Sequence, residues 1–144
     1  IYLYFLTDGY NVLPLISMKR EEKENFMEIT APSGKITRKM TNEIMKKAIY
    51  PLLDDISKYA GNYSGIIGVK IKIKGNNFYV LEYYNGFENY DFQAFLSLLD
   101  EDLVNLFKDS TQKRLKFRNS VRLENKFSGI SKFFILLLYI SFTL

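Results

Sequence analysis

The side chains that could carry chemistry here are carboxylates, lysines, tyrosines and amides, because the 144 residues include no cysteine and no histidine. That composition excludes disulfides, thiolate or imidazole metal sites and a Ser-His-Asp triad. Carboxylate and amide oxygens bind hard cations, so any metal is expected to be Mg²⁺. Candidate site residues are therefore sought among the acidic, amide and basic side chains.

The chain has a formal net charge of +4, and its basic residues gather early. A solvated helix face accounts for most charge runs of this kind, and a surface that binds phosphate or nucleic acid is the alternative. No aromatic-stacking motif accompanies the charge, so no nucleic-acid partner is expected. The early basic residues are Lys19, Arg20, Lys23, Lys35, Arg38, Lys39, Lys46 and Lys47.

Two hairpins are predicted to position these side chains. Residues 1–6 are aromatic and branched, Asp8 begins an Asp-Gly turn, and residues 12–15 resume an apolar run. Residues 65–74 alternate branched side chains with lysines, which indicates a strand with one solvent-exposed face. A Gly-Asn-Asn turn and residues 78–84 complete the second hairpin.

Two helices are expected between and after the hairpins. Residues 37–59 carry apolar side chains at helical spacing, with Pro51 predicting a kink or a break. Residues 91–107 form a broad apolar stripe typical of a packed helix. Residues 17–36 are polar and are expected to be irregular. The order of hairpin, helix, hairpin and helix predicts an α+β fold.

Both ends of the sequence are unusual. Ile1 stands directly inside an apolar run, which suggests a fragment or a processed start. Residues 133–144 are nearly all apolar, but they fall short of the roughly 18–20 residues that span a bilayer as a helix. We expect a buried strand or an aberrant terminus and no membrane partner. A membrane anchor within residues 130–144 is the alternative.

Three stretches resemble glycinamide ribonucleotide synthetase, also called phosphoribosylamine–glycine ligase. Residues 6–15 contain Leu-Thr-Asp-Gly, two further residues, and Val-Leu-Pro-Leu. Residues 37–51 match a family helix that begins near Thr and ends at Pro. Residues 80–83, Val-Leu-Glu-Tyr, match the family's Val-Leu-Glu-Phe, and Asp-Leu follows at the next helix. The order and spacing of these matches carry the resemblance.

This resemblance implies a partial ATP-grasp domain, the C-terminal half of that core. The expected architecture is an antiparallel sheet made from two hairpins packed against two helices. Residues 1–116 would form the partial core, and residues 117–144 would be an unassigned apolar tail. The family's N-terminal substrate domain and its ATP-holding lid would lie before Ile1.

The implied function is the ATP-dependent joining of glycine to 5-phosphoribosylamine, through an acyl-phosphate, in de novo purine biosynthesis. The implied ligands are ATP with Mg²⁺ or Mn²⁺, glycine and phosphoribosylamine. A chain that carries the missing N-terminal domains is an implied partner, and the cytoplasm is the expected location. Since several motifs depart from the family, we expect a truncated and impaired ligase. The alternative is a non-catalytic remnant or interaction module of the same fold.

The resemblance also implies site residues, although no catalytic side chain is assigned. The family's metal-binding Glu corresponds to Glu82, but its Asn corresponds to Tyr84, whose phenol is a poor ligand for Mg²⁺. Asn85 is the expected substitute, provided that a bulge turns it to the same face. Lys19 and Arg20 correspond to a basic pair that would bind ATP phosphates.

Each of these residues also has a purely structural interpretation. Glu82 would be a half-exposed strand carboxylate paired with a lysine such as Lys70 or Lys72. Lys19 and Arg20 would lie in a solvated loop. Asp8 is expected to be a turn residue and Asp91 the N-cap of the following helix.

Overall fold

The computed structural model describes residues 1–133, and the six strands within that range form one antiparallel sheet. Their order across the sheet is β5-β4-β1-β2-β3-β6. β1 is therefore central, and β5 and β6 lie at the two edges. The strands are β1 (Tyr2–Thr7), β2 (Val12–Lys23), β3 (Phe26–Ala31), β4 (Gly65–Lys74), β5 (Asn77–Asn85) and β6 (Ser128–Phe133).

Helices cover both faces of this sheet. The first helix begins as α1, changes to a π-helical turn and continues as α2, and it lies on one face. The later helices pack on the other. In chain order the elements are α1 (Arg38–Ile44), the π turn (Met45–Ile49), α2 (Tyr50–Ala60), α3 (Asn89–Leu96), α4 (Leu103–Thr111) and a 3₁₀ turn (Leu115–Phe117).

Side chains of β1 alternate between two hydrophobic cores. Tyr4 and Leu6 pack with Phe95 of α3, on what is called here the α3/α4 face. Leu3 and Phe5 pack with the first helix, on the α1/α2 face. All six residues of β1 are buried because helices cover both sides of the central strand. This layering fixes which polar side chains can meet on each face.

Much of the expected secondary structure is confirmed. Both hairpins form, and β4 buries Val69 and Ile71 while Lys72 is exposed. Thr37 caps α1, since its hydroxyl accepts the Met40 N–H at 3.2 Å. Just before Pro51 the helix widens to a π turn rather than breaking. The mixed α/β class and the antiparallel sheet are thus as expected, and the ATP-grasp assignment stays a prediction.

Two expectations were wrong. Residues 17–36 are not irregular, because β2 runs to Lys23 and β3 follows from Phe26. The last three residues of β2, Glu21 to Lys23, are charged and exposed, so this end of the strand lacks the apolar alternation of a half-buried strand. Residues 91–107 form two helices rather than one. Asp102 starts α4, since its carboxylate accepts the Asn105 N–H at 2.8 Å.

The sheet also includes more of the chain than two hairpins. β3 and β6 extend it, and α3 and α4 replace the single second helix that was expected. β6 comes from the stretch predicted to be an unassigned tail, and it pairs antiparallel with β3. The proposed buried strand or membrane anchor at the end of the tail falls mostly in residues 134–144, which lie outside the described residues.

Candidate functional site

Glu82 lies exposed on edge strand β5, on the α3/α4 face of the sheet. A bulge at Leu81 shifts the register, so that Glu82 pairs with Lys70 and Val80 with Ile71. The Tyr84 hydroxyl donates to Glu82 Oε2 at 2.7 Å, so the two side chains share a face. Burial, and then this hydrogen bond, raise the pKa of Tyr84, which remains a neutral donor.

Lys70 stands opposite Glu82 in the ladder, but it faces an aromatic ring. Its ammonium nitrogen lies 5.3 Å from the Tyr2 ring centroid. The Tyr2 hydroxyl raises the pKa of Lys70, and Glu82 adds a smaller contribution. Within residues 1–133 no Lys70–Glu82 ion pair forms, so the partner of the Glu82 carboxylate is Tyr84. The interpretation of Glu82 as half of a surface ion pair with a lysine was therefore wrong, because its partner among the described residues is a neutral tyrosine.

Asn85 lies on the opposite face of β5 from Glu82. Its side-chain oxygen accepts the Tyr63 hydroxyl at 2.6 Å, and Tyr63 packs with the α1/α2 core. The bulge at Leu81 comes before Glu82, so it does not turn Asn85 toward the carboxylate. The structure does not bring the two predicted metal ligands together.

These side chains do not fit a magnesium ion by themselves. Mg²⁺ takes octahedral oxygen ligands, usually including one or two carboxylates. Glu82 supplies one carboxylate, and one of its oxygens already accepts the Tyr84 hydroxyl. Among the described residues, no three acidic side chains cluster in a way that could hold a metal. No step through a metal is derived from this arrangement.

Lys19 and Arg20 are adjacent on β2, so their side chains leave the strand on opposite faces. Lys19 forms an ion pair with the nearby Glu21. Arg20 is only 10% exposed, and its Nη2 lies 2.9 Å from Asp91 Oδ1. The predicted phosphate-binding pair is thus divided, and the solvated-loop alternative was also wrong for Arg20.

Asp91 is fully buried in the first turn of α3, where its carboxylate contacts two side chains. Arg20 contacts one carboxylate oxygen, and the Tyr4 hydroxyl donates to the other. Burial alone would lower the pKa of Arg20, but the hydrogen bond and charge of Asp91 raise it. Asp91 is not the N-cap of α3, because Glu88 occupies that position.

Two tyrosines of β1 complete this cluster and were missed by sequence reasoning. Burial and the hydrogen bond to Asp91 raise the pKa of Tyr4 well above its ordinary value. The guanidinium carbon of Arg20 lies 4.2 Å from the Tyr2 ring centroid. The available signal was the Tyr-x-Tyr spacing, which places both rings on one face of a strand.

Asp8 is a turn residue, as expected. Its Oδ1 accepts the backbone N–H groups of Tyr10 at 3.0 Å and Asn11 at 2.7 Å. Burial would raise the pKa of Asp8, but these hydrogen bonds hold it below the usual range. The Asp8 carboxylate thus stabilises its own turn.

The fold and this cluster define a mixed α/β protein. Its exposed edge strand β5 lies on the same sheet as a buried ion pair between Arg20 and Asp91. No protein-family model matches the chain. The chain is 26% identical over 120 residues to a phosphoribosylamine–glycine ligase from Fusobacterium nucleatum subsp. nucleatum. The alignment covers 77% of this chain and 28% of that protein. The chain therefore resembles about a quarter of a ligase of this kind.

Residues 1–133 include no helix that is long and apolar enough to cross a membrane.

Proposed function

We propose that this chain is one part of an ATP-dependent ligase that joins glycine to 5-phosphoribosylamine, and that it does not catalyse the reaction alone. The observation that supports the proposal most is its 26% identity over 120 residues with a phosphoribosylamine–glycine ligase. The alignment spans 28% of that protein, so activity would also need the parts of the ligase that lie outside the matched segment. The role of this part would be to present the exposed carboxylate of Glu82, on edge strand β5, to the nucleotide.

Glu82 is the residue that this proposal depends on most. Its carboxylate is exposed, and it accepts one hydrogen bond, from a neutral phenol. By contrast, Asp91 on the same face is fully buried and paired with Arg20. Unlike Asp91, Glu82 is thus accessible to a ligand and forms no ion pair within residues 1–133.

A non-catalytic interaction module of the same fold is the second candidate. The observation that favours it is the pairing of the predicted ligands with protein groups: Arg20 with Asp91, and Asn85 with Tyr63. Neither Arg20 nor Asn85 is then free for a phosphate or a metal. In this interpretation the polar cluster would only join β2 to α3.

Titration of Mg-ATP by isothermal calorimetry separates the two candidates. Under the ligase proposal, wild-type protein binds Mg-ATP, and Glu82→Gln weakens binding at least tenfold because Gln lacks the negatively charged oxygen that would contact the cation of Mg-ATP. Glu24→Gln is the matched control, since Glu24 is an exposed carboxylate in the β2–β3 turn. No binding by the wild type, or equal binding by both variants, would leave the interaction module as the better candidate.

Reconstitution tests the ligase activity directly. The chain would be mixed with the Fusobacterium nucleatum protein lacking its matched segment, and ADP release would be followed with and without glycine and phosphoribosylamine. Substrate-dependent ADP release that needs both polypeptides supports the proposal. Release that is unchanged by adding this chain contradicts it.

A further inference from the structure

A cleft of about 660 Å³ lies at the far end of the sheet from Glu82. It opens between α1 and residues 118–120, beside the start of β2. Val12, at the start of β2, pairs with Thr7, the last residue of β1. Glu82 pairs with Lys70, which in turn pairs with Tyr2, the first residue of β1. The volume falls within the range of small-molecule sites, roughly 300–1,000 Å³.

One wall of this cleft is apolar and the other carries hydrogen-bond donors. Val12, Pro14 and Met45 form the apolar wall. Arg38 and Asn42 lie one helical turn apart on α1, so their side chains reach the same surface. Asn119 and Ser120 face them from the segment after the 3₁₀ turn. A site with one apolar wall and a few convergent polar groups is typical of small-molecule binding.

The donors of this cleft have no protein partner in the part of the chain that the structure describes. The Arg38 guanidinium forms no ion pair, and the side chains of Asn42, Asn119 and Ser120 make no hydrogen bond there. An arginine presents five N–H donors in a fixed fork that matches an oxyanion. All four side chains are exposed to solvent, so their donors are accessible to an acceptor-rich group.

The second arginine of the cleft is already neutralised. Arg118 donates through Nε to Asp109 Oδ2 at 2.6 Å, and through Nη1 to Glu101. Arg114 lies 3.7 Å from the other oxygen of Asp109. Two carboxylates thus face two guanidinium groups, and the net positive charge of the cleft comes from Arg38. Arg118 holds the wall in position rather than attracting an anion.

We propose that this cleft binds the phosphate group of a small phosphate monoester, with Arg38 as its main charged contact. A phosphate has three terminal acceptor oxygens, which suits one guanidinium, two carboxamides and a hydroxyl. The apolar wall would contact the organic part of the molecule. This site is separate from the Glu82 region and stands independently of the proposed ligase function.

Chemical-shift titration with inorganic phosphate at constant ionic strength tests the site. Saturable shifts are expected at the backbone amides of Arg38, Asn42 and Asn119. Arg38→Gln should weaken binding at least tenfold, about 1.4 kcal/mol. Lys39→Gln is the matched control, because Lys39 is an exposed cation on α1 that does not line the cleft. It should change the affinity less than twofold.

The alternatives give distinct results. No saturable shifts, or equal weakening by Arg38→Gln and Lys39→Gln, would overturn the site in favour of diffuse charge attraction. Acetate binding as tightly as phosphate would overturn the choice of phosphate in favour of a carboxylate. Asn119→Ala serves as a second variant and should weaken phosphate binding severalfold. Glu82→Gln should leave phosphate binding unchanged, which separates this test from that of the ligase proposal.

Discussion

Asp91 and Glu82 lie on the same face of one sheet but in contrasting surroundings. Asp91 is fully buried, with a guanidinium and a phenol as partners. Glu82 is exposed on an edge strand and accepts one hydrogen bond from Tyr84. A buried charge must be compensated by the protein, whereas an exposed one is compensated by water. Asp91 is therefore tied to stability, and Glu82 remains available for a ligand.

Replacing the buried carboxylate should have the largest effect. Asp91→Ala leaves the Arg20 guanidinium buried without its main partner, so it should lower the free energy of unfolding by about 3–5 kcal/mol. Urea denaturation followed by circular dichroism measures this change. Glu88→Ala is the matched control, since Glu88 is 39% exposed and lies 3.6 Å from Arg20. A loss as large in the control would contradict the contrast.

Removing one hydroxyl from each region sharpens the comparison. Tyr4→Phe leaves a buried oxygen of Asp91 without its donor and should cost about 1–3 kcal/mol of unfolding free energy. Tyr84→Phe removes the corresponding bond to Glu82, where water can replace it, and should cost less than about 0.5 kcal/mol. Equal losses in urea denaturation would mean that burial does not distinguish the two pairs.

Alkaline pH should also act on the buried region. The pKa of Tyr4 is raised in the folded protein, so above about pH 10 the unfolded chain loses this proton first. Stability should then fall with rising pH, by up to about 1.4 kcal/mol per pH unit for this one proton. Urea midpoints measured from pH 9 to pH 11.5 give the slope. The slope should be shallower in Tyr4→Phe, and an unchanged slope would assign the titration to another group.

The smallest effect on stability is expected at Glu82. Glu82→Gln keeps the size of the side chain and can still accept from Tyr84, so the free energy of unfolding should change by less than about 0.5 kcal/mol. Thermal denaturation measures this directly. A loss above about 1 kcal/mol would show that Glu82 is a structural residue, and the contrast with Asp91 would not hold.

Local patterns in the sequence were sufficient to predict an element where one of its faces is exposed to solvent and the other is buried. The alternation of Val69 and Ile71 with lysines predicted β4, and Thr37 marked the start of the first helix. The outer end of β2 was missed because its last residues, 21–23, are exposed and charged and show no apolar period.

The candidate site was less predictable because its contacts are long-range. Arg20 and Asp91 come from different elements, and only the fold brings them together. The sequence correctly placed Glu82 and residue 84 on one face and Asn85 on the other. It could not reveal that Tyr84 would be the hydrogen-bond donor to Glu82, since the direction of a side chain depends on its packing.

The central position of β1 has a consequence for how the chain folds. Its first neighbour, β2, follows directly, but its second neighbour, β4, is made only after the whole first helix has been synthesised. Until then, one side of a strand rich in aromatic residues has no hydrogen-bond partner. Such distant pairings slow folding and expose aggregation-prone edges. Emergence of β4 from the ribosome is thus the step that would protect the nascent chain.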